Sequence, residues 1–292
     1  MNLFVFGLGY SALHYILKHR PDYDSIAGTV TRPEKKAEFV ATGIKTYLFS
    51  ADVVEDGIAQ ALSEADVILV SIPPGEAGDP VLTKFALSLT RTKRLRKIIY
   101  LSTVGVYGDR RGEWVDEDTA PLTTNTRSLM RLAAENLWRA LAREGNRSLY
   151  VLRLAGIYGP RRNPLVQLRD GKAKRLVKKD QVFNRIHVDD IVQAIAKCVA
   201  RDRAGEDLVL NIADGHPAPP QDVVTYAASL MQVEPPPLID YETADLSEMT
   251  RSFYAECKRI SIEAARFELG FEPIHPTYRE GLQRLWEAGE GR

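Results

Sequence analysis

The chain has 292 residues, with 39 basic and 39 acidic side chains and a formal net charge of zero. That balance gives no global field to attract nucleic acid or an anionic membrane, and 45% apolar residues suit one large domain or a main domain with a smaller companion. Cys198 and Cys257 match no redox or metal spacing, no apolar run reaches the ~18 residues of a membrane span, and the first residues carry no secretion signal, so a reducing, cytoplasmic setting is expected.

In chain order, apolar or β-branched runs occur at Leu3–Phe6, Ser25–Val30, Lys45–Phe49, Val67–Ile72, Lys97–Leu101 and Leu149–Leu154. Continuous apolar runs suit strands buried on both faces of a parallel sheet. Helical patterns fall between them, at Ser11–Arg20 (Leu13, Ile16 and Leu17 on one stripe) and Arg127–Arg143, and a later one covers Asp189–Ala200. The alternation predicts an α/β fold, a doubly wound parallel sheet. The last third is less regular and is punctuated by Pro217–Pro220 and Pro235–Pro237.

After the first run comes Gly7-Leu8-Gly9-Tyr10-Ser11-Ala12, a glycine turn between strand and helix. This is the context of a Rossmann dinucleotide fingerprint. Gly7 permits the tight turn, Gly9 lets backbone approach a pyrophosphate, and Ala12 is small enough for close helix–strand packing. Gly7, Gly9, Tyr10, Ser11 and Ala12 are the expected pyrophosphate cradle. An acidic residue normally closes the second strand of an NAD site, but here Thr31-Arg32-Pro33 does, followed by Lys35 and Lys36. An arginine there pairs with a 2′-phosphate, which favours NADP over NAD; the alternative is a solvated strand-end charge. Asp52 and Val53 are placed for the adenine edge, although a loop-capping aspartate would read the same way. Ser71, at the end of the fourth run, completes the cofactor set.

Further along stands Ile98-Ile99-Tyr100-Leu101-Ser102-Thr103-Val104-Gly105-Val106-Tyr107-Gly108-Asp109. There follow Leu152-Arg153-Leu154-Ala155-Gly156-Ile157-Tyr158-Gly159-Pro160, Ile186-His187-Val188-Asp189-Asp190-Ile191, Leu210-Asn211-Ile212-Ala213-Asp214-Gly215 and Leu269-Gly270-Phe271. In this order they resemble the extended short-chain dehydrogenase/reductase family of nucleotide-sugar epimerases and dehydratases, along essentially the whole chain. The resemblance implies a Rossmann-type sheet with a smaller C-terminal substrate-binding domain. The expected boundaries are 1–158 with 187–210 for the NAD(P)-binding domain and 159–186 with 211–292 for the substrate domain, packed over the strands' C-terminal ends.

The family's catalysis rests on Tyr-x-x-x-Lys, with a glutamate four residues after the lysine. Counting back from Glu135 puts Arg131 at the lysine position and Arg127 at the tyrosine position. No tyrosine occurs from Asp109 to Leu149 and no lysine from Ile98 to Gly171, so no shift of register restores the pair. Arginine stays protonated, so Arg127 cannot act as a general base, whereas Arg131 can still bond ribose hydroxyls. Thr103 aligns with the family's active-site Ser/Thr. The expected catalytic set is therefore Thr103, Arg127 and Arg131.

Tyr107 and Tyr158, at strand ends, and Arg161 and Arg185, flanking a basic segment, are the expected substrate contacts, with structural or solvated roles as the alternatives. They suit a small anionic substrate, phosphorylated or nucleotide-linked. No His, Cys, Asp or Glu set stands at metal-ligand spacing, so no metal is expected, and nucleic acid and membrane are not expected partners. His187 with Asp189 and Asp190 reads as a helix start. The resemblance leaves monomer or homodimer open; the helices beginning near Val81 and Arg127 often pair in the family. Two functions compete: an epimerase-, dehydratase- or reductase-like enzyme with a non-standard active site, and a catalytically silent NAD(P)-binding sensor or regulator.

Overall fold

A computed structural model describes all residues from Met1 to Arg292. The strand runs β1 (Asn2–Phe6), β2 (Ser25–Val30), β3 (Lys45–Leu48), β4 (Val67–Val70) and β5 (Lys97–Thr103) alternate with helices α1 (Tyr10–His19), α2 (Pro33–Ala41), α3 (Ile58–Ser63) and α4 (Pro80–Arg91). Next come β6 (Trp114–Val115), α5 (Thr126–Glu144), β7 (Ser148–Leu154), β8 (Gly156–Tyr158), α6 (Pro164–Arg169), β9 (Arg175–Val177), β10 (Arg185–His187), α7 (Val188–Ala200) and β11 (Asp207–Ile212). The chain closes with α8 (Pro220–Met231), β12 (Leu238–Asp240), α9 (Glu248–Tyr254), β13 (Arg259–Ile260), α10 (Glu263–Leu269) and α11 (Tyr278–Glu287).

Seven strands form one sheet in the order β3-β2-β1-β4-β5-β7-β11. The order reverses between β1 and β4, both parallel neighbours, and ligands of open α/β sheets bind beyond the strands' carboxyl ends at such a switch point. The fold is therefore the doubly wound α/β class that the alternation predicts. No helix is long and apolar enough to cross a membrane.

The chain divides into two compact units. The first comprises residues 1–106, 124–153 and 192–210. Its core joins Phe4 and Phe6 of β1 to Ile68 and Val70 of β4, Phe85 and Leu89 of α4, and Ala134, Trp138 and Leu141 of α5. Those α5 positions recur at helical spacing, so burial selects one face. One carboxylate ties two helices here. Asp79 Oδ1 accepts the amides of Val81 (2.9 Å) and Leu82 (3.1 Å), capping α4, while Oδ2 accepts Trp138 Nε1 at 2.9 Å. A buried carboxylate is tolerable only when its lone pairs are matched in this way.

The second unit comprises residues 107–123, 154–191 and 211–292. Three short parallel pairings organise it: β8 with β10, β9 with β12, and β6 with β13. Around them α8 packs on α6 and α11. This grouping differs from the expected boundaries. Residues 107–123 belong to the second unit because Trp114 and Val115 pair with Arg259 and Ile260, and Lys258 Nζ donates to Gly108 O at 2.6 Å. Residues 154–158 and 187–191 join them because β8 and β10 are partners. Two-residue strands give no periodicity to read, so sequence pattern could not place that boundary.

Candidate functional site

The glycine turn of the first unit is built as a cradle. Gly7 has φ +89°, and a Cβ there would meet Ile72 Cγ2 at 2.5 Å and Ser71 Oγ at 2.9 Å. Its amide donates to Thr29 Oγ1 (2.9 Å) and its carbonyl accepts Ser71 Oγ (2.6 Å). Ser71 therefore holds the turn to the end of β4. Gly9 differs: a Cβ there would meet nothing within 4 Å, so that side of the backbone is open. Gly9 caps α1 without a side chain, and no acidic residue sits in the helix's first turn. That leaves the helix dipole uncompensated for an anion. Ser11 and Ala12 are buried, and Gly28 of β2 packs so closely that an added Cβ would stand 2.8 Å from Val5 O. Gly7→Ala is expected to lower stability by about 1–3 kcal/mol in urea unfolding, through strain and overpacking. Gly9→Ala should change it by less than about 0.5 kcal/mol, the range of surface substitutions.

At the end of β2 the three basic side chains differ in availability. Lys35 pairs with Glu38 at 2.6 Å, and Lys36 pairs with Glu55, whose other oxygen accepts the amide of Leu48 at 2.6 Å. Arg32, exposed beside Thr31, makes no such pair. In the loop after β3 it is Ser50, not Asp52, that caps: its Oγ accepts the amides of Asp52 (3.3 Å) and Val53 (3.1 Å). The Asp52 carboxylate and the Val53 side chain are left exposed.

The end of β5 gathers the polar residues of the first unit. Thr103 Oγ1 accepts the Gly105 amide at 3.1 Å, which leaves its O–H free to donate. A Cβ on Gly105 would stand 2.8 Å from Ser128 Oγ and 3.3 Å from Thr103 Oγ1, so two hydroxyls converge on that glycine. Ser128 escaped sequence reading, since a serine one residue after Arg127 carries no signal of its own. Asn125 caps α5, accepting the amides of Arg127 and Ser128 at 3.0 and 3.3 Å. Arg127 is exposed. Arg131 lies along β5, its Nη1 donating to Leu101 O at 2.7 Å and its guanidinium 5.7 Å from the Tyr100 ring centre. Burial raises the Tyr100 phenol to about 12 although Arg131 lowers it, so that phenol stays protonated at neutral pH.

One turn further, Glu135 is 1% exposed and accepts Arg153 Nη2 (2.8 Å) and Ser102 Oγ (2.5 Å).

The four expected substrate residues of the second unit are mostly in internal use. Tyr107 is fully buried and donates its hydroxyl to Asn211 Oδ1 at 2.8 Å, a structural bond. Tyr158 is buried against α11, so tightly that a Cβ on Gly281 would meet its oxygen at 1.9 Å, and burial pushes its phenol far above the ordinary range. Arg185 Nη1 donates to Phe183 O (3.0 Å) and Ala218 O (3.1 Å), bracing that bridge. Arg161 alone keeps an exposed side chain; its amide is held by Glu290 at 2.9 Å. Three of the intervening basic residues are likewise engaged: Arg175 on Pro236 O at 2.9 Å, Lys178 on Tyr254 O, and Arg169 on Asp170 at 2.8 Å.

Residues 81–213 match the model of the NAD dependent epimerase/dehydratase family. Similarity extends well beyond that segment. A solved structure of a functionally unknown conserved protein from Silicibacter pomeroyi DSS is 39% identical over 99% of both chains, with TM-score 0.88. Protein YeeZ of Escherichia coli K12 is 27% identical over 244 residues, 80% of this chain and 84% of YeeZ. UDP-glucuronic acid 4-epimerase from Bacillus cereus, solved with UDP-glucuronic acid and NAD, shares the fold at 18% identity over 98% of each chain, with TM-score 0.74. Fold and glycine turn together define a Rossmann-type, doubly wound α/β protein. Within that fold, residues 81–213 are the part of the chain that is similar to the NAD dependent epimerase/dehydratase family.

Proposed function

We propose that this chain binds NADP on its first unit and acts on a small phosphorylated or nucleotide-linked metabolite through a non-standard active site. The observation that carries the reading is the open turn at Gly9 with Arg32, the one unpaired cation at the end of β2, as the 2′-phosphate contact. Gly7, Gly9 and the first turn of α1 would hold the pyrophosphate, Thr31 and Arg32 the 2′-phosphate, and Asp52 and Val53 the adenine edge. The nicotinamide, when bound, supplies hydride transfer. Arg131, with one nitrogen anchored on Leu101 O, keeps its remaining N–H groups for ribose hydroxyls. Thr103 donates its free O–H to a substrate oxygen. Arg127, exposed and always cationic, offers charge to an anionic substrate and cannot take a proton.

The second reading, a catalytically silent NAD(P)-binding regulator, is favoured by one observation: the partner of Thr103 Oγ1 is an amide, not a base. Two titrations separate the possibilities. Arg32→Asp is expected to weaken NADPH binding ~10–100-fold, the worth of a lost charge-assisted hydrogen bond, while sparing NAD. Equal losses for both cofactors would remove Arg32 from the site. Turnover of NADPH across a panel of sugar nucleotides and phosphorylated carbonyl compounds, abolished by Thr103→Ala, supports the enzyme. Tight binding with no turnover on any of them favours the regulator.

A further inference from the structure

The second unit brings together three metal-ligand side chains that lie far apart in sequence. His187 ends β10, Asp189 stands in the first turn of α7, and His275 lies in the segment between α10 and α11. Asp189 Oδ2 is 3.6 Å from His187 Nδ1 and 3.6 Å from His275 Nε2, and the three donor atoms all lie within 4.8 Å of one another. We propose that His187, Asp189 and His275 form a mononuclear site for a divalent transition metal of the zinc type.

The geometry is close to what coordination needs. Bonds of ~2.0–2.1 Å to a tetrahedral ion place ligand atoms roughly 3.3–3.4 Å apart, so the two 3.6 Å separations close with a few tenths of an ångström of side-chain rotation. The donor set, two imidazoles and one carboxylate, is typical of open zinc sites, in which water or another ligand takes the fourth position. The imidazole rings lie 4.0 Å apart at 52°. Access is built in, because the Asp189 side chain is 44% exposed while both histidine side chains are 3% exposed.

The support behind the ligands is uneven. Asp190 is fully buried and accepts the amides of Ile274 (2.5 Å) and His275 (3.3 Å), which fixes the loop that presents His275. Against this, the Asp189 amide donates to His187 Nδ1 at 3.2 Å and must release it, and His275 Nδ1 is buried with no hydrogen-bond partner. A missing outer bond typically costs 10–100-fold in metal affinity. The site should therefore hold its ion more weakly than a structural zinc site. Its consequence would be a metal clip between the β10–α7 junction and the segment leading into α11.

The test uses the full-length chain without an affinity tag, stripped with chelator and titrated with Zn²⁺ by calorimetry and with Co²⁺ by visible absorption. One ion per chain is expected, with the intense d–d bands of tetrahedral Co²⁺. His275→Ala should abolish them, and Asp189→Asn should weaken binding at least tenfold. Asp189 is half-exposed, so Asp189→Asn keeps the question answerable should His275→Ala fail to fold. Absence of Co²⁺ bands, or Zn²⁺ binding unchanged in Asp189→Asn, overturns the proposal. NADP binding is measured separately and has no bearing on either outcome.

Discussion

Arg153→Met is expected to destabilise the protein by about 3–5 kcal/mol in urea unfolding, because it strands a buried charge. Glu135 in α5 is held inside the first unit by the two Arg153 donors, at 2.8 and 3.3 Å, and by Ser102 Oγ. Without the guanidinium only the serine bond remains, and a lone hydroxyl does not compensate a desolvated carboxylate. Glu135→Leu combined with Arg153→Met should recover most of the loss, since replacing both partners removes the unpaired charge along with the pair. A loss below about 1 kcal/mol in Arg153→Met alone would contradict the account. The pair also matters for the site, because Glu135 stands one helical turn after Arg131 and fixes α5 against β5 and β7. A variant that survives should bind dinucleotide less tightly, with Arg131 shifted from Leu101 O.

The second large effect concerns pH. Asp214 is 4% exposed, and burial raises its carboxyl to about 7, against partial relief from Arg185 and with Asp190 adding to the rise. One oxygen accepts the His216 amide at 2.9 Å, and the other is buried without a partner. A carboxyl whose folded pKa lies above its unfolded value binds its proton more tightly when folded. Its contribution is therefore fully present below about pH 4 and is lost as pH rises towards 7. A shift from 3.8 to about 7 sets a ceiling of roughly 4 kcal/mol at 1.36 kcal/mol per unit. Asp214→Asn keeps the acceptor for His216 and removes the titration. Its stability at pH 8 relative to pH 5 should exceed the wild-type ratio by up to a few kcal/mol in urea unfolding. Identical pH profiles for the two proteins would show that Asp214 ionises normally.

Much of the first unit was legible because its strands are buried on both faces. The runs Ser25–Val30 and Leu149–Leu154 fall within a residue of β2 and β7, and the Arg127–Arg143 helix extends by one residue at each end into α5. The glycine turn was legible for a similar reason, since Gly7 and Gly9 answer a local backbone demand. What escaped was long-range. Tyr107 reads as a strand-end phenol until the fold supplies Asn211, and Arg185 reads as a substrate contact until Phe183 O and Ala218 O occupy it. His275 carries no signal, for its meaning depends on packing against β10 and α7. Local pattern reports what a residue can do, whereas the partners that claim it are set by contacts between distant segments.

The second unit is assembled from three stretches, and its core includes Tyr278, Leu282 and Leu285 from the last helix. During synthesis, therefore, the cluster of Tyr158, Leu165 and Val223 lacks part of its packing until α11 is made. Domains that complete themselves early bury their apolar surface early, whereas a unit that waits for a late segment has a longer window of aggregation risk. A stop codon before Tyr278 should then yield a chain retained by chaperones or degraded rather than a shortened, working protein.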